Sequence, residues 1–199
     1  RIEALGDGIY VGGGSTPTVR ETTVFGGTGC GVVVDEESSG RFLDCEVVGS
    51  AKYGVCVQHE SAPTFERLVV RATGRTAIFV TSRSQPTFRR TTAYGGSGPA
   101  VDVGDGARPA FEVLDVTATN HRGVQITGAA GTYDDVTVAM GDRNEKAGVV
   151  VESDAEPLLR RLVVRGGKAG GVLVQSGALP TFEVAEVDGC VGDGMVVRS

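Results

Sequence analysis

The chain has no tryptophan, two histidines and two methionines, and aromatic residues make up only 6% of its 199 positions. No apolar run approaches the roughly 18 residues a membrane-spanning helix needs. Positive charge is scarce as well. Nineteen Lys and Arg stand against 25 Asp and Glu, and the net charge of −6 excludes a general nucleic-acid binder. The four cysteines, Cys30, Cys45, Cys56 and Cys190, show neither CxxC pairing nor metal-ligand spacing, so they read as small apolar residues rather than a disulfide frame. Unpaired thiols favour a reducing, cytoplasmic setting. No cofactor is expected: "GGTGCGV" at 26–32 lacks the Gly-Lys-Ser/Thr ending of a phosphate loop and leads into a strand. The chain opens on Arg1 and both ends stop mid-repeat, so a piece of a longer protein is expected, with self-association through its open ends.

Glycine, by contrast, is abundant at 31 residues, and it recurs. Rungs open at Gly8, Gly31, Gly54, Ala77, Ala100, Gly123, Gly148, Gly171 and Gly194, each 23 residues after the last except one step of 25, from Gly123 to Gly148. A fixed period of this size decides the architecture before anything else. In that register four apolar columns persist. One runs Ile9, Val32, Val55, Ile78, Val101, Val124, Val149, Val172, Met195, and a second follows two residues later, from Val11 to Val197. A third reads Val19, Phe42, Phe65, Phe88, Phe111, Tyr133, Leu159, Phe182, and a fourth Val24, Val47, Val70, Ala93, Val116, Val138, Val164, Val187.

The apolar residues alternate with period two, which predicts strands, and 23 residues are too few to bury a face alone. Each strand must therefore pair with its own copy one turn later. The prediction is an all-β, single-stranded parallel β-helix of about eight rungs filling 1–199 as one domain, roughly 4.8 Å per rung and roughly 40 Å long. This explains why Pro-Thr-Phe appears in "SAPTFERLVV", "SQPTFRRTTA" and "ALPTFEVAEV". Proline sits at a corner and phenylalanine turns into the coil.

Gly-Val-x-Val followed by Pro-Thr-Phe and a glycine corner resembles right-handed parallel β-helix repeats of the pectate-lyase-like superfamily. The wording "GVLVQSGALPTFEVAEVDGC" is similar to β-helix regions of actinobacterial proteins that also carry an AAA-type ATPase module. The resemblance implies a right-handed coil; any ATPase activity would lie outside this chain. It also implies an alternative to a pure scaffold. Enzymes of this superfamily act on polysaccharide in a groove along one sheet, with clustered carboxylates and often calcium.

Candidate catalytic residues are sparse. Asp134 and Asp135 are adjacent and should point to opposite faces unless a turn intervenes. Asp44 and Glu46 share the outer face without a second carboxylate pair beside them, and "DEE" at 35–37 reads as a solvated turn, with His59 in another turn. The long step carries a two-residue insertion in "AMGDRNEKAG" at 139–148, one rung after "NHRG", so His121 stands within reach of Asp142, Arg143 and Glu145 as a possible acid–base cluster.

Two outward columns complete the reading. Tyr10, Val33, Cys56, Phe79, Asp102, Gln125, Val150, Leu173 and Val196 form two apolar stripes interrupted by Asp102 and Gln125, a candidate binding face for a protein partner, an adjacent domain or a second copy. Arg20, Leu43, Glu66, Arg89, Glu112, Asp134, Arg160 and Glu183 mostly alternate in sign, as a charge ladder should. Arg67, Arg71, Arg89 and Arg90 form a basic patch fit for an acidic partner. The reading favoured on sequence is a non-catalytic interaction module, with a carbohydrate-active or carbohydrate-binding domain as the alternative, and with neither nucleic acid nor membrane as partner.

Overall fold

The computed structural model describes residues 1–199 as a coil of parallel strands, every strand hydrogen-bonded to its equivalent one turn away. It contains no helix long and apolar enough to cross a membrane. One sheet of nine short strands runs Ile9–Val11, Val32–Val34, Val55–Val57, Ile78–Val80, Val101–Gly104, Val124–Thr127, Val149–Glu152, Val172–Val174 and Met195–Val197. We call it the short-strand face. Its nine strands mean nine turns, one more than the approximate count taken from the repeat.

A thirteen-stranded sheet covers the other two sides. In its middle the strands Thr87–Tyr94, Ala110–Ala118, Thr132–Met140 and Leu158–Arg165 run unbroken around a bend. The bend residue has a left-handed backbone in each: Arg90, Val113, Asp135 and Arg161, with φ of 53°, 63°, 50° and 49°. Non-glycine residues rarely adopt that region, so stacking of the same strained residue from rung to rung must hold it there.

The predicted columns are the ladder register itself. Ile9 faces Val32, Val32 faces Val55, and Val47 faces Val70. Phe42, Phe65, Phe88, Phe111 and Tyr133 stack consecutively, with ring centroids 4.7, 4.9, 4.7 and 5.4 Å apart. Parallel, in-register pairing puts like over like, and offset rings at this spacing attract. The corner prolines lose no ladder donor and supply acceptors: Thr87 N donates to Pro63 O and Ala110 N to Pro86 O, both at 2.9 Å.

The rung-opening glycines are a packing requirement. A Cβ on Gly54 would lie 2.1 Å from Val70 Cγ1 and 2.7 Å from Ala77 O. Two rungs open instead with Ala77 and Ala100, opposite Ala93 and Val116. The core this builds is one cluster of 40 buried residues running the length of the coil.

Candidate functional site

The short-strand face carries two columns of outward side chains. One is the interrupted apolar column. The other lies two residues later at each rung's exit and reads Asp35, Gln58, Thr81, Gly104, Thr127, Glu152, Gln175 and Arg198. Nearly every member is polar, and two hydrogen-bonded networks form on it.

The larger network centres on Glu152, half-buried. Its Oε1 accepts from Gln125 Nε2 at 3.0 Å and from Thr127 Oγ1 at 3.3 Å, and its Oε2 accepts from Gln175 Nε2 at 2.7 Å. Arg122 donates to Gln125 Oε1 at 2.7 Å and comes within 3.9 Å of Glu152. Asp102 faces Gln125 in the neighbouring strand. Burial raises the Asp102 pKa and Glu152 adds to the rise, while Arg122 opposes it. Asp102 and Glu152 thus both lie near Arg122.

Beside this network an open groove of about 360 Å³ runs toward the last rungs. Val150, Leu173 and Val196 form its floor, and Arg122, Lys146, Arg198, Glu145 and Asp193 stand around it. Neither Lys146 nor Arg198 is joined to a carboxylate by an ion pair.

The smaller network lies in the early rungs. Asp35 is 8% exposed and accepts from Gln58 Nε2 at 2.8 Å and from the backbone of Glu36 at 2.7 Å, with His59 Nδ1 at 2.5 Å. Burial pushes the Asp35 pKa up, but the bonds from Gln58, His59 and Glu36 outweigh it and leave it below the usual carboxylate range. The "DEE" stretch is therefore no solvated turn at its first residue; Asp35 is a buried anion that orients His59. A carboxylate lowered on folding stabilises fully above its unfolded value of about 3.8, and loses that contribution as pH falls through the folded value. Asp35→Asn is accordingly expected to cost melting temperature at pH 7 and much less at pH 2; an equal cost at both would refute the assignment.

Several sequence expectations change. Val33 and Val150 are 7% and 0% exposed, so they are not part of an exposed stripe. Strands of three residues leave the corners close enough to fold over the sheet. Cys30 and Tyr53 cover Val33 and Cys56, Tyr53 stacks on Phe79 at 4.6 Å, and Val150 lies beneath the groove rim. Tyr10, at 56%, is open to solvent and Leu173 is half-buried.

The basic patch is largely neutralised. Arg67 grips Asp44 through Nε at 2.5 Å and Nη2 at 2.9 Å and also pairs with Glu66, Arg71 pairs with Glu46 at 2.6 Å, and Arg89 with Glu112 at 3.0 Å. Of the four, Arg90 alone has no ion pair. Asp134 and Asp135 both point outward because the left-handed residue at 135 interrupts the alternation, and Arg161 reaches both. Asp135 is held below its usual pKa by the hydrogen bond from Arg161. Both serve the charge ladder, as do Arg160 with Asp134 at 3.4 Å and with Glu183 at 3.1 Å.

The acid–base cluster around His121 does not form. No hydrogen bond or ion pair links His121 to Asp142, Arg143 or Glu145. The insertion is anchored by buried Asn144, and burial together with Arg122 and Lys146 lowers the His121 pKa. Glu145 instead lines the groove. Glu152, Gln175 and Asp35 were missed as site residues, although a polar column at a constant offset of four after each opening residue marks them in the sequence.

A family profile described as "Right handed beta helix region" matches residues 1–140. Among solved structures the chain is similar to the A-module of mannuronan C-5 epimerase AlgE4 from Azotobacter vinelandii, at 13% identity and a TM-score of 0.51, over 98% of this chain and 84% of that one. No curated protein matches.

Proposed function

The chain belongs to the right-handed β-helix family, and from that premise we propose that it binds an acidic polysaccharide along the outer side of its short-strand face. The observation that carries this reading is the groove: an apolar floor at Leu173 and Val196 ringed by Arg122, Lys146 and Arg198, which outnumber the two carboxylates on its rim, Glu145 and Asp193. A uronic acid unit has an apolar ring face and a carboxylate, which this floor and these cations complement. The Glu152 network, joined to the groove through Arg122, adds fixed amide and carboxylate groups beside it. The module named above acts on mannuronan, a polyuronate, which is in keeping with that substrate class. The scaffold reading drew on regular rungs, an outward apolar column and sparse carboxylates, and the covering of Val33 and Val150 weakens the second of these.

A second reading, proton transfer on the bound sugar, is favoured by the position of Asp102, a half-buried carboxyl facing Gln125 on the neighbouring strand beside the groove, whose pKa burial raises. No calcium site enters either reading.

Affinity electrophoresis in gels containing polymannuronate or polygalacturonate tests the proposal, with dextran as the neutral control. Retardation by polyuronates alone, fading with salt, is expected. Arg122→Ala and Lys146→Ala should each weaken binding about tenfold, the worth of one charge-assisted contact. Migration unaffected by any polyuronate would sink the reading. Product analysis by NMR on the same mixtures decides the second one: Asp102→Asn must abolish turnover while binding persists.

A further inference from the structure

Away from the groove, two thiols meet on the same face. Cys30, at the corner before Val32–Val34, and Cys56, at the centre of Val55–Val57, form with Val33 a small cluster separate from the main core. Tyr53 and Phe79 pack against it. Both cysteines are free, with 8% and 5% of their surface exposed. They belong to adjacent rungs locked together by the pairing of Val33 with Cys56.

The two side chains share one contact cluster, so an ionised Cys30 is an acceptor toward which the Cys56 thiol can turn. The bond from the Cys56 thiol lowers the Cys30 pKa to about 7 against the opposing effect of burial, and the backbone N–H of Tyr53 assists. The same bond, with burial, pushes Cys56 well up. In the structure the Cys56 thiol donates to Gln58 Oε1 at 3.6 Å. Cys45 and Cys190 differ. Neither has a second thiol beside it; both thiols donate to backbone carbonyls, and burial raises both.

We propose that Cys30 and Cys56 are an oxidative modification site, an adjacent thiol pair that a small peroxide converts to an intramolecular disulfide. The Cys30 thiolate attacks one oxygen of hydrogen peroxide; the O–O bond breaks, leaving Cys30 as sulfenic acid and releasing hydroxide. That hydroxide takes the Cys56 proton as water. The Cys56 sulfur then attacks the Cys30 sulfur, the S–O bond breaks, and the departing hydroxide takes up the proton Cys30 first gave to solvent. Two thiols and one peroxide become one disulfide and two waters.

The test is a peptide map of the full chain after brief exposure to hydrogen peroxide at pH 7, with remaining thiols alkylated. A Cys30–Cys56 linked peptide, reversed by dithiothreitol, with Cys45 and Cys190 alkylated, is the expected result. Four alkylated thiols, Cys30 halted at sulfinic acid beside a free Cys56, or a link through Cys45 or Cys190 would each overturn the proposal. Cys56→Ala, which removes the donor and is checked for folding by circular dichroism, should slow alkylation of Cys30 at pH 7 on the order of tenfold or more, because the thiolate fraction falls as its pKa returns toward the ordinary value; an unchanged rate counts against the pairing.

Discussion

Phe88→Ala is expected to cost about 3–5 kcal/mol of unfolding free energy, the range for deleting a fully buried aromatic ring. Phe88 is 0% exposed and stacks on Phe65 at 4.9 Å and on Phe111 at 4.7 Å. Its two neighbours sit on paired strands with registers Phe65–Phe88 and Phe88–Phe111, so neither can slide into the void without breaking ladder bonds. The gap therefore remains, and lost transfer energy adds to the cavity cost. Phe182→Ala, at a half-buried ring in the last full turn, should cost clearly less. Urea titration followed by far-UV circular dichroism measures both. A loss under about 1 kcal/mol at Phe88 would mean that the aromatic column does not carry the core.

Asn144→Ala should cost about 2–4 kcal/mol, an amount far above that of an ordinary loop substitution. The insertion lengthens one rung by two residues, which would leave the backbone of neighbouring rungs unmatched. Asn144, 2% exposed, mends the mismatch. Its Nδ2 donates to Ala118 O at 2.9 Å and to His121 O at 2.7 Å, and its Oδ1 accepts from Lys146 N at 3.0 Å. Alanine leaves those backbone groups without partners in a buried corner. Because Lys146 and Arg122 frame the groove, polyuronate binding should weaken alongside stability. Hydrogen exchange gives a local readout: protection of the Lys146 amide should fall in the variant. A change within about 0.5 kcal/mol with undiminished protection would show the insertion to be held by something else.

These two residues illustrate different degrees of legibility. Phe88 is readable as core from the sequence because it recurs at a constant step among equivalents. Asn144 has no equivalent in other rungs, so periodicity is silent about it, and only the folded corner reveals three backbone partners. Glu152 and Asp35 lie between these cases. They stand in a regular polar column, but polarity at a rung exit does not say whether a carboxylate is solvated or buried in a network. Asp134 and Asp135 fail for another reason. Strand alternation sends neighbours to opposite faces, and a single left-handed residue cancels that rule.

The amino-acid sequence alone determined the winding. A 23-residue period forces in-register parallel stacking, because a unit too small to bury its own apolar face gains most by pairing with its copy. Inward columns follow from that symmetry without any knowledge of neighbouring loops. Only the tertiary structure decided what happens outside the coil. Whether Val33 is covered, whether Arg67 is neutralised and whether Lys146 stands free depend on how corners of different rungs lean over three-residue strands, and those contacts join positions that share no common period.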